Sequence, residues 1–109
     1  MELSPEDAKL VTLARASRAR TGAAEGAAVR DLDGRTYAAS TVALESLQLA
    51  ALDLAVAMAV SSGAKGLEAA AAVTDADTVD TAAVRDLAGT GVSVLVADAS
   101  GTVGSVRES

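Results

Sequence analysis

The chain has 109 residues, a net charge of −6, no cysteine and no histidine. This length predicts one domain, residues 1–109, because independent domains cluster near ~100–150 residues. The composition excludes disulfides, zinc sites built on thiolate or imidazole groups, and Ser-His or Cys-His nucleophiles.

Half of the residues are apolar, but few of them have large side chains. The chain contains 27 Ala, 13 Val and 12 Leu, but neither Phe nor Trp. Burial of Ala contributes little beside the ~1.5–3 kcal/mol of a buried Leu or Val. We therefore expect the chain to gain further burial by associating with copies of itself as a homo-oligomer.

The first predicted element is a helix that begins after Ser4. Ser4 can cap it, Pro5 suits the first helical position, and Glu6 and Asp7 face the positive end of the helix dipole. Apolar residues then recur at helical spacing, and Gly22 is predicted to end the helix.

The remaining elements alternate between strands and helices. Asp31-Leu32-Asp33-Gly34 supplies turn chemistry for a hairpin, and the nearly uncharged residues 47–62 predict a central helix. In chain order we predict strands at 24–30 and 36–42, a helix at 47–62, a strand at 66–74, a helix from Thr78 or Asp80 to Ala88, and strands at 92–97 and 102–106. This order predicts an α/β fold, a three-layer α/β/α sandwich with a mixed five-stranded sheet.

Charge and hydropathy indicate whether the chain binds nucleic acid, crosses a membrane or is secreted. Residues 36–109 carry three basic and nine acidic groups, and the chain has one aromatic residue, so its composition disfavours nucleic-acid binding. The low-charge stretch 47–64 contains Asp53 and is too polar for a membrane span. No basic segment precedes the first apolar run, so we expect a soluble protein of the cytoplasm.

Several strings, in this order and spacing, resemble the small homo-oligomeric cytidine deaminases. Gly26-Ala27-Ala28-Val29 resembles the family's Val-Gly-Ala-Ala-Leu strand, and Asp33-Gly34-Arg35-Thr36-Tyr37 its Asp-Gly-Lys-Ile-Tyr turn. Residues 49–63 can be laid without gaps on the helix that begins with the family's Cys-Ala-Glu-Arg motif. Residues 80–88 correspond to its Pro-Cys-Gly-Ala-Cys-Arg-Gln segment. The resemblance covers nearly the whole chain and implies the cytidine deaminase fold.

The positions that carry the family's chemistry are all replaced. In the family, three thiolates, or one His and two Cys, hold zinc, and a Glu that is not a ligand transfers protons. By the resemblance, the zinc ligands fall on Ala50, Thr81 and Val84, and the Glu falls on Leu52. The residues that read the ribose fall on Thr41 and Ala43. We therefore predict a vestigial pocket, formed by Thr41, Ala43, Ala50, Leu52, Thr81 and Val84, with no catalytic residue, cofactor or metal.

Asp53 is a lone charge on the apolar helix at 47–62, and such a charge must reach solvent or a partner. The resemblance implies that this helix lies near subunit interfaces, so we predict a contact between Asp53 and an Arg or Lys of a neighbouring copy. The assembly is predicted to be a dimer or a tetramer.

Three functions remain open from the sequence. The first is an inactive deaminase-like protein with an oligomeric structural or binding role. The second is a metal-free enzyme or nucleoside-binding protein, which needs at least two polar groups converging in the remodelled pocket. The third is an interaction module whose acidic second half meets a basic protein partner, with salt-sensitive association.

Overall fold

A computed structural model describes residues 2–109 as three helices and seven strands. The elements within these residues are α1 Pro5–Thr21, β1 Gly26–Asp31, β2 Thr36–Ser40, β3 Val42–Leu44, β4 Leu47–Leu49, α2 Ala51–Ser61, β5 Leu67–Val73, α3 Ala82–Ala88, β6 Ser93–Ala97 and β7 Val103–Glu108. None of the helices described in residues 2–109 is long and apolar enough to cross a membrane.

Five strands form one mixed sheet in the order β2-β1-β5-β6-β7. Strand β1 runs antiparallel to both β2 and β5, β5 and β6 run parallel, and β7 runs antiparallel to β6. Helix α3 connects the two parallel strands, as such strands require a crossover. The predicted mixed five-stranded α/β fold is confirmed.

Helix α1 covers one face of the sheet. Ser4 Oγ accepts a hydrogen bond from the Asp7 amide at 3.1 Å, and Gly22 ends the helix in the left-handed region with φ 63°. These ends are the ones the sequence predicts. Leu10 and Ala14 are buried in the cluster between α1 and the sheet.

Gly26 lets α1 approach β1 closely. A Cβ atom built on Gly26 would lie 1.9 Å from the carbonyl oxygen of Ala14, so any larger residue would force the helix and strand apart. Together with the small side chains of β5, this close approach compensates in part for the lack of large apolar residues.

Helices α2 and α3 pack against the opposite face. Their buried residues join Val29 of β1, Ala70 of β5 and Val94 of β6 in a second apolar cluster. Leu52 and Val84 are members of this cluster. The sheet therefore lies between two helical layers.

The predicted start of the second helix is wrong. Residues 47–49 form β4, which pairs with β3 in a separate two-stranded hairpin, and α2 begins only at Ala51. The hairpin turns at Glu45-Ser46, a pair without the Gly or Asn that marks tight hairpin turns. In addition, the apolar run continues from β4 into α2, so hydropathy alone does not separate the two elements.

The third helix also begins later than predicted, at Ala82. Neither Thr78 nor Asp80 is its cap residue; Thr81 is, although it makes no side-chain capping bond. Asp80 nevertheless accepts a hydrogen bond from the Ala82 amide at 2.9 Å through its carboxylate.

Candidate functional site

Helices α2 and α3 begin with side chains that make no capping hydrogen bond. Ala50 is the cap residue of α2 and Thr81 that of α3, and in both cases the first turn receives no side-chain bond from the cap residue. Ala50 has no donor atom for a metal, whereas Thr81 offers only a hydroxyl. These two positions correspond by resemblance to zinc ligands.

Leu52 and Val84 both lie in the interior. Leu52 is 3% exposed and Val84 is 0% exposed, and both belong to the apolar cluster beneath α2 and α3. Burial of each side chain stabilises the fold by about 1.5–3 kcal/mol. At these positions the side chains form part of the packed core.

Thr41 and Ala43 lie in different surroundings. The Thr41 hydroxyl accepts a hydrogen bond from the Glu25 amide at 2.9 Å and donates to the Glu25 carbonyl at 3.3 Å. These contacts join the end of β2 to the segment before β1. Ala43 is exposed on β3, opposite Gln48 of β4.

The structure reveals polar residues that the sequence interpretation did not assign to this region. The buried Thr74, which follows β5, donates its hydroxyl hydrogen to Oε2 of Glu25 at 2.7 Å. Gly26 pairs with Val73, so the residues just outside this pair become neighbours. The β1–β5 register brings Glu25 and Thr74 together. The sequence alone does not give this register, so it could not identify the pair.

Asp53 lies partly buried in the first turn of α2, in an acidic environment. Burial raises its pKa first, and the negative charges of Asp80 and Glu25 raise it further. Within residues 2–109, the Asp53 side chain makes no ion pair. Asp80 and Glu25 are therefore close enough to repel the Asp53 carboxylate, and no ion pair in the described part of the chain compensates it.

The donor set does not fit the zinc ion that the resemblance implies. Of Ala50, Thr81 and Val84, only Thr81 carries an oxygen, and Val84 is buried among apolar side chains. In the described part of the chain, no group of three or more Asp or Glu residues is arranged to hold a metal ion. We therefore derive no reaction step through zinc.

A cytidine deaminase-like family model matches residues 3–101. The chain therefore belongs to the cytidine deaminase-like family. Its fold is similar to the crystal structure of cytidine deaminase from Burkholderia pseudomallei, with a TM-score of 0.76 and 20% identity over 98% of this chain and 92% of that one. It is also similar to cytidine deaminase from Mycobacterium leprae, with a TM-score of 0.73 and 19% identity over 97% and 94% of the two chains. No curated protein has a matching sequence.

Proposed function

We propose that this chain is a catalytically inactive cytidine deaminase-like protein, a single domain over residues 1–109 that acts as a homo-oligomeric structural or binding component in the cytoplasm. The observation that carries the proposal is the burial of Leu52 and Val84 in one apolar cluster. By resemblance, these positions belong to the proton-transferring glutamate and to a zinc ligand. Neither side chain can exchange a proton or coordinate a metal.

The proposed loss of activity follows from the chemistry of zinc deaminases. In that chemistry a metal-bound water attacks the base while a glutamate moves protons to and from the reacting atoms. Here an alanine, a threonine and a valine stand at the ligand positions, and a leucine stands at the glutamate position. The chain has no cysteine or histidine that could replace them from elsewhere.

A metal-free enzyme or nucleoside-binding protein is the second candidate. The observation in its favour is the proximity of Asp53, Asp80 and Glu25 at the beginning of α2. Carboxylates with separated pKa values can act as a general acid and base. The raised pKa of Asp53 is compatible with such a role.

One experiment separates these candidates. The protein is incubated with zinc, dialysed and analysed for bound metal, and cytidine is then added with and without a chelator while uridine and ammonia are measured. The cytidine deaminase from Burkholderia pseudomallei is treated identically as a positive control. We expect neither zinc retention nor turnover. Turnover that survives the chelator would favour the metal-free enzyme, and turnover with one zinc per subunit would refute both candidates.

A further inference from the structure

Strand β7 forms one edge of the five-stranded sheet and pairs only with β6 within residues 2–109. The strand at the other edge, β2, is mostly half-buried, whereas Val106, Arg107 and Glu108 of β7 are exposed. An exposed edge strand presents unpaired backbone amides and carbonyls, to which a further strand can be added. The sheet can therefore be extended at β7.

The pairing of β7 with β6 shows which backbone groups of β7 face outward. The Ser109 amide donates to the Val92 carbonyl at 2.9 Å, so the backbone of Ser109 is turned toward the β6 side. The register is regular from Ser105 to Glu108. In an antiparallel pair, residues bonded to the partner strand alternate with residues whose amide and carbonyl face away from it. Counted back from Ser109, the amides and carbonyls of Val106 and Glu108 face away from β6.

The side chains of β7 lie on two different faces of the sheet. Val106 is paired with Leu95, which is buried in the cluster beneath α1, so the Val106 side chain is on the α1 face. Because side chains alternate along a strand, Ser105 and Arg107 are on the opposite face. There they border a depression of about 430 Å³ that extends past the ends of β5 and β6. A strand added beside β7 would place every second side chain along this depression.

The depression beside β7 is acidic. Within the described residues, Asp75, Asp77 and Asp98 line it, together with the basic Arg107. Asp75 makes an ion pair with Arg18 at 3.1 Å, whereas no ion pair within residues 2–109 includes Asp77 or Asp98. Hydrogen bonds from a serine hydroxyl and from backbone amides of the β6–β7 turn lower the pKa of Asp98, so it is ionised at neutral pH. Asp77 and Asp98 therefore offer negative charge to a cation beside the β7 edge.

We infer that a basic, extended segment of a partner protein adds to the β7 edge as a sixth strand of the sheet, with Lys or Arg side chains in the depression lined by Asp77 and Asp98. Backbone hydrogen bonds to Val106 and Glu108 provide the pairing, and the carboxylates select for positive charge. The β7 strand of a second copy would bring one Arg and one Glu, and hence no net charge, so charge complementarity favours the basic partner. The inference rests on the binding role in the proposed function and specifies its surface and its partner.

Two synthetic peptides test the charge preference. In one, valine alternates with lysine, and in the other valine alternates with glutamate, so that a peptide paired with β7 directs all its charged side chains to one face. Their binding to the protein is measured by fluorescence anisotropy at low ionic strength. We expect the lysine peptide to bind at least about tenfold more tightly, because the acidic depression attracts its charges and repels those of the glutamate peptide.

Two changes test the backbone pairing. Methylation of alternate backbone nitrogens of the lysine peptide removes the donors that would face β7 and is expected to weaken binding by about tenfold or more. Val106→Pro removes an outward amide of β7 without removing a bond to β6, and proline is tolerated at such an edge position. It is expected to weaken binding of the lysine peptide by a similar factor, whereas Val106→Thr keeps the amide and should bind as the wild type does.

A matched pair of charge reversals tests the depression. Asp77→Lys changes the charge beside β7 and is expected to weaken binding of the lysine peptide by about threefold or more. Glu45→Lys makes the same change in net charge on the separate β3–β4 hairpin and should leave binding within about twofold of the wild type. Circular dichroism verifies that every variant remains folded, and the methylated peptide tests the pairing on the unaltered protein.

Several results would overturn the inference. These are the absence of binding by the lysine peptide, equal binding of the two peptides, and binding that is unaffected by backbone methylation or by Val106→Pro. If Val106→Pro lowers the mass of the assembly that the protein forms alone, a second copy occupies the edge and the inference is also wrong. All of these results leave the proposed loss of deaminase activity standing, because that loss is tested separately with zinc and cytidine.

Discussion

The two sides of α2 have different structural roles. On the inner side, Leu52 is 3% exposed and belongs to the same buried apolar cluster as Val84 and residues of the sheet, whereas on the outer side Val60 is more than half exposed. In the related deaminases, by resemblance, the beginning of this helix supplies a zinc ligand and a proton-transferring glutamate. In this chain the inner side contributes packing free energy, and the outer side still lacks an apolar partner. This contrast supports the proposal that the chain keeps the family's fold without its zinc chemistry.

The largest effect is expected on the inner side. Leu52→Glu would bury a carboxylate with no cation or donor among its apolar neighbours, and we expect it to lower the free energy of unfolding by about 4 kcal/mol or more. Leu52→Met conserves volume and polarity and should change the free energy of unfolding by less than about 1.5 kcal/mol. Urea denaturation of both variants measures the difference. A Leu52→Glu protein as stable as Leu52→Met would mean that this position opens to water, as a working pocket requires.

A matched pair of isosteric substitutions compares the two sides directly. Val84→Thr introduces a hydroxyl into the core and should lower the free energy of unfolding by about 2 kcal/mol. Val60→Thr makes the same chemical change where the side chain is 52% exposed and should lower it by less than about 0.5 kcal/mol. Urea denaturation of both variants, at a dilution where the protein is monomeric, measures the two changes. Equal costs for the two substitutions would contradict the assigned roles of the two sides.

The smallest effect concerns two aspartates with opposite pKa shifts. Although burial alone would raise the pKa of Asp31, hydrogen bonds from the Tyr37 hydroxyl and the amides of Arg35 and Asp33 lower it. Asp31 thus adds stability above the ordinary aspartate pKa of about 3.9, and this stability is lost as the pH falls through its lowered pKa. Asp53 has a raised pKa, so its ionisation removes stability as the pH rises from about 3.9 through the raised value.

Asp53→Asn tests the second of these shifts. At a dilution where the protein is monomeric, it should increase the free energy of unfolding by about 0.5 kcal/mol at pH 7, because it removes a partly buried charge that Asp80 and Glu25 also repel. At pH 3 the increase should vanish, since Asp53 is then protonated in both states. The measurement is urea denaturation at the two pH values. A loss of stability at pH 7 would show that Asp53 has a favourable partner within the protomer.

The sequence predicts this fold well where local chemistry and periodicity agree. Ser4, Pro5 and Gly22 define α1, and the Val-rich run at 92–97 defines β6 closely. The β3–β4 hairpin could not be predicted, because its turn at Glu45-Ser46 carries no turn signal and its leucines continue into α2. Hydropathy describes single segments and does not report which segments pair.

Some features of the candidate site could likewise be predicted from the sequence, and others could not. Its lack of thiolate and imidazole ligands follows from composition alone. That Ala50 and Thr81 directly precede two helices is known only from the structure, because the sequence predicts both helices to begin earlier. The neighbourhood of Glu25, Thr74 and Asp53 depends on the register between β1 and β5 and on the packing of α2. Residues this far apart in sequence are brought together only by tertiary structure.

Native mass spectrometry of the untagged protein, after incubation with zinc and cytidine, tests whether the chain binds the metal and substrate of a cytidine deaminase. One spectrum reports the mass of the assembly, the number of bound metal ions and any retained small molecule. We expect a dimer or a tetramer whose mass is that of the polypeptide alone. One zinc ion per subunit, or an adduct of nucleoside mass, would contradict it, because the positions of Ala50, Leu52, Thr81 and Val84 would then belong to a working site.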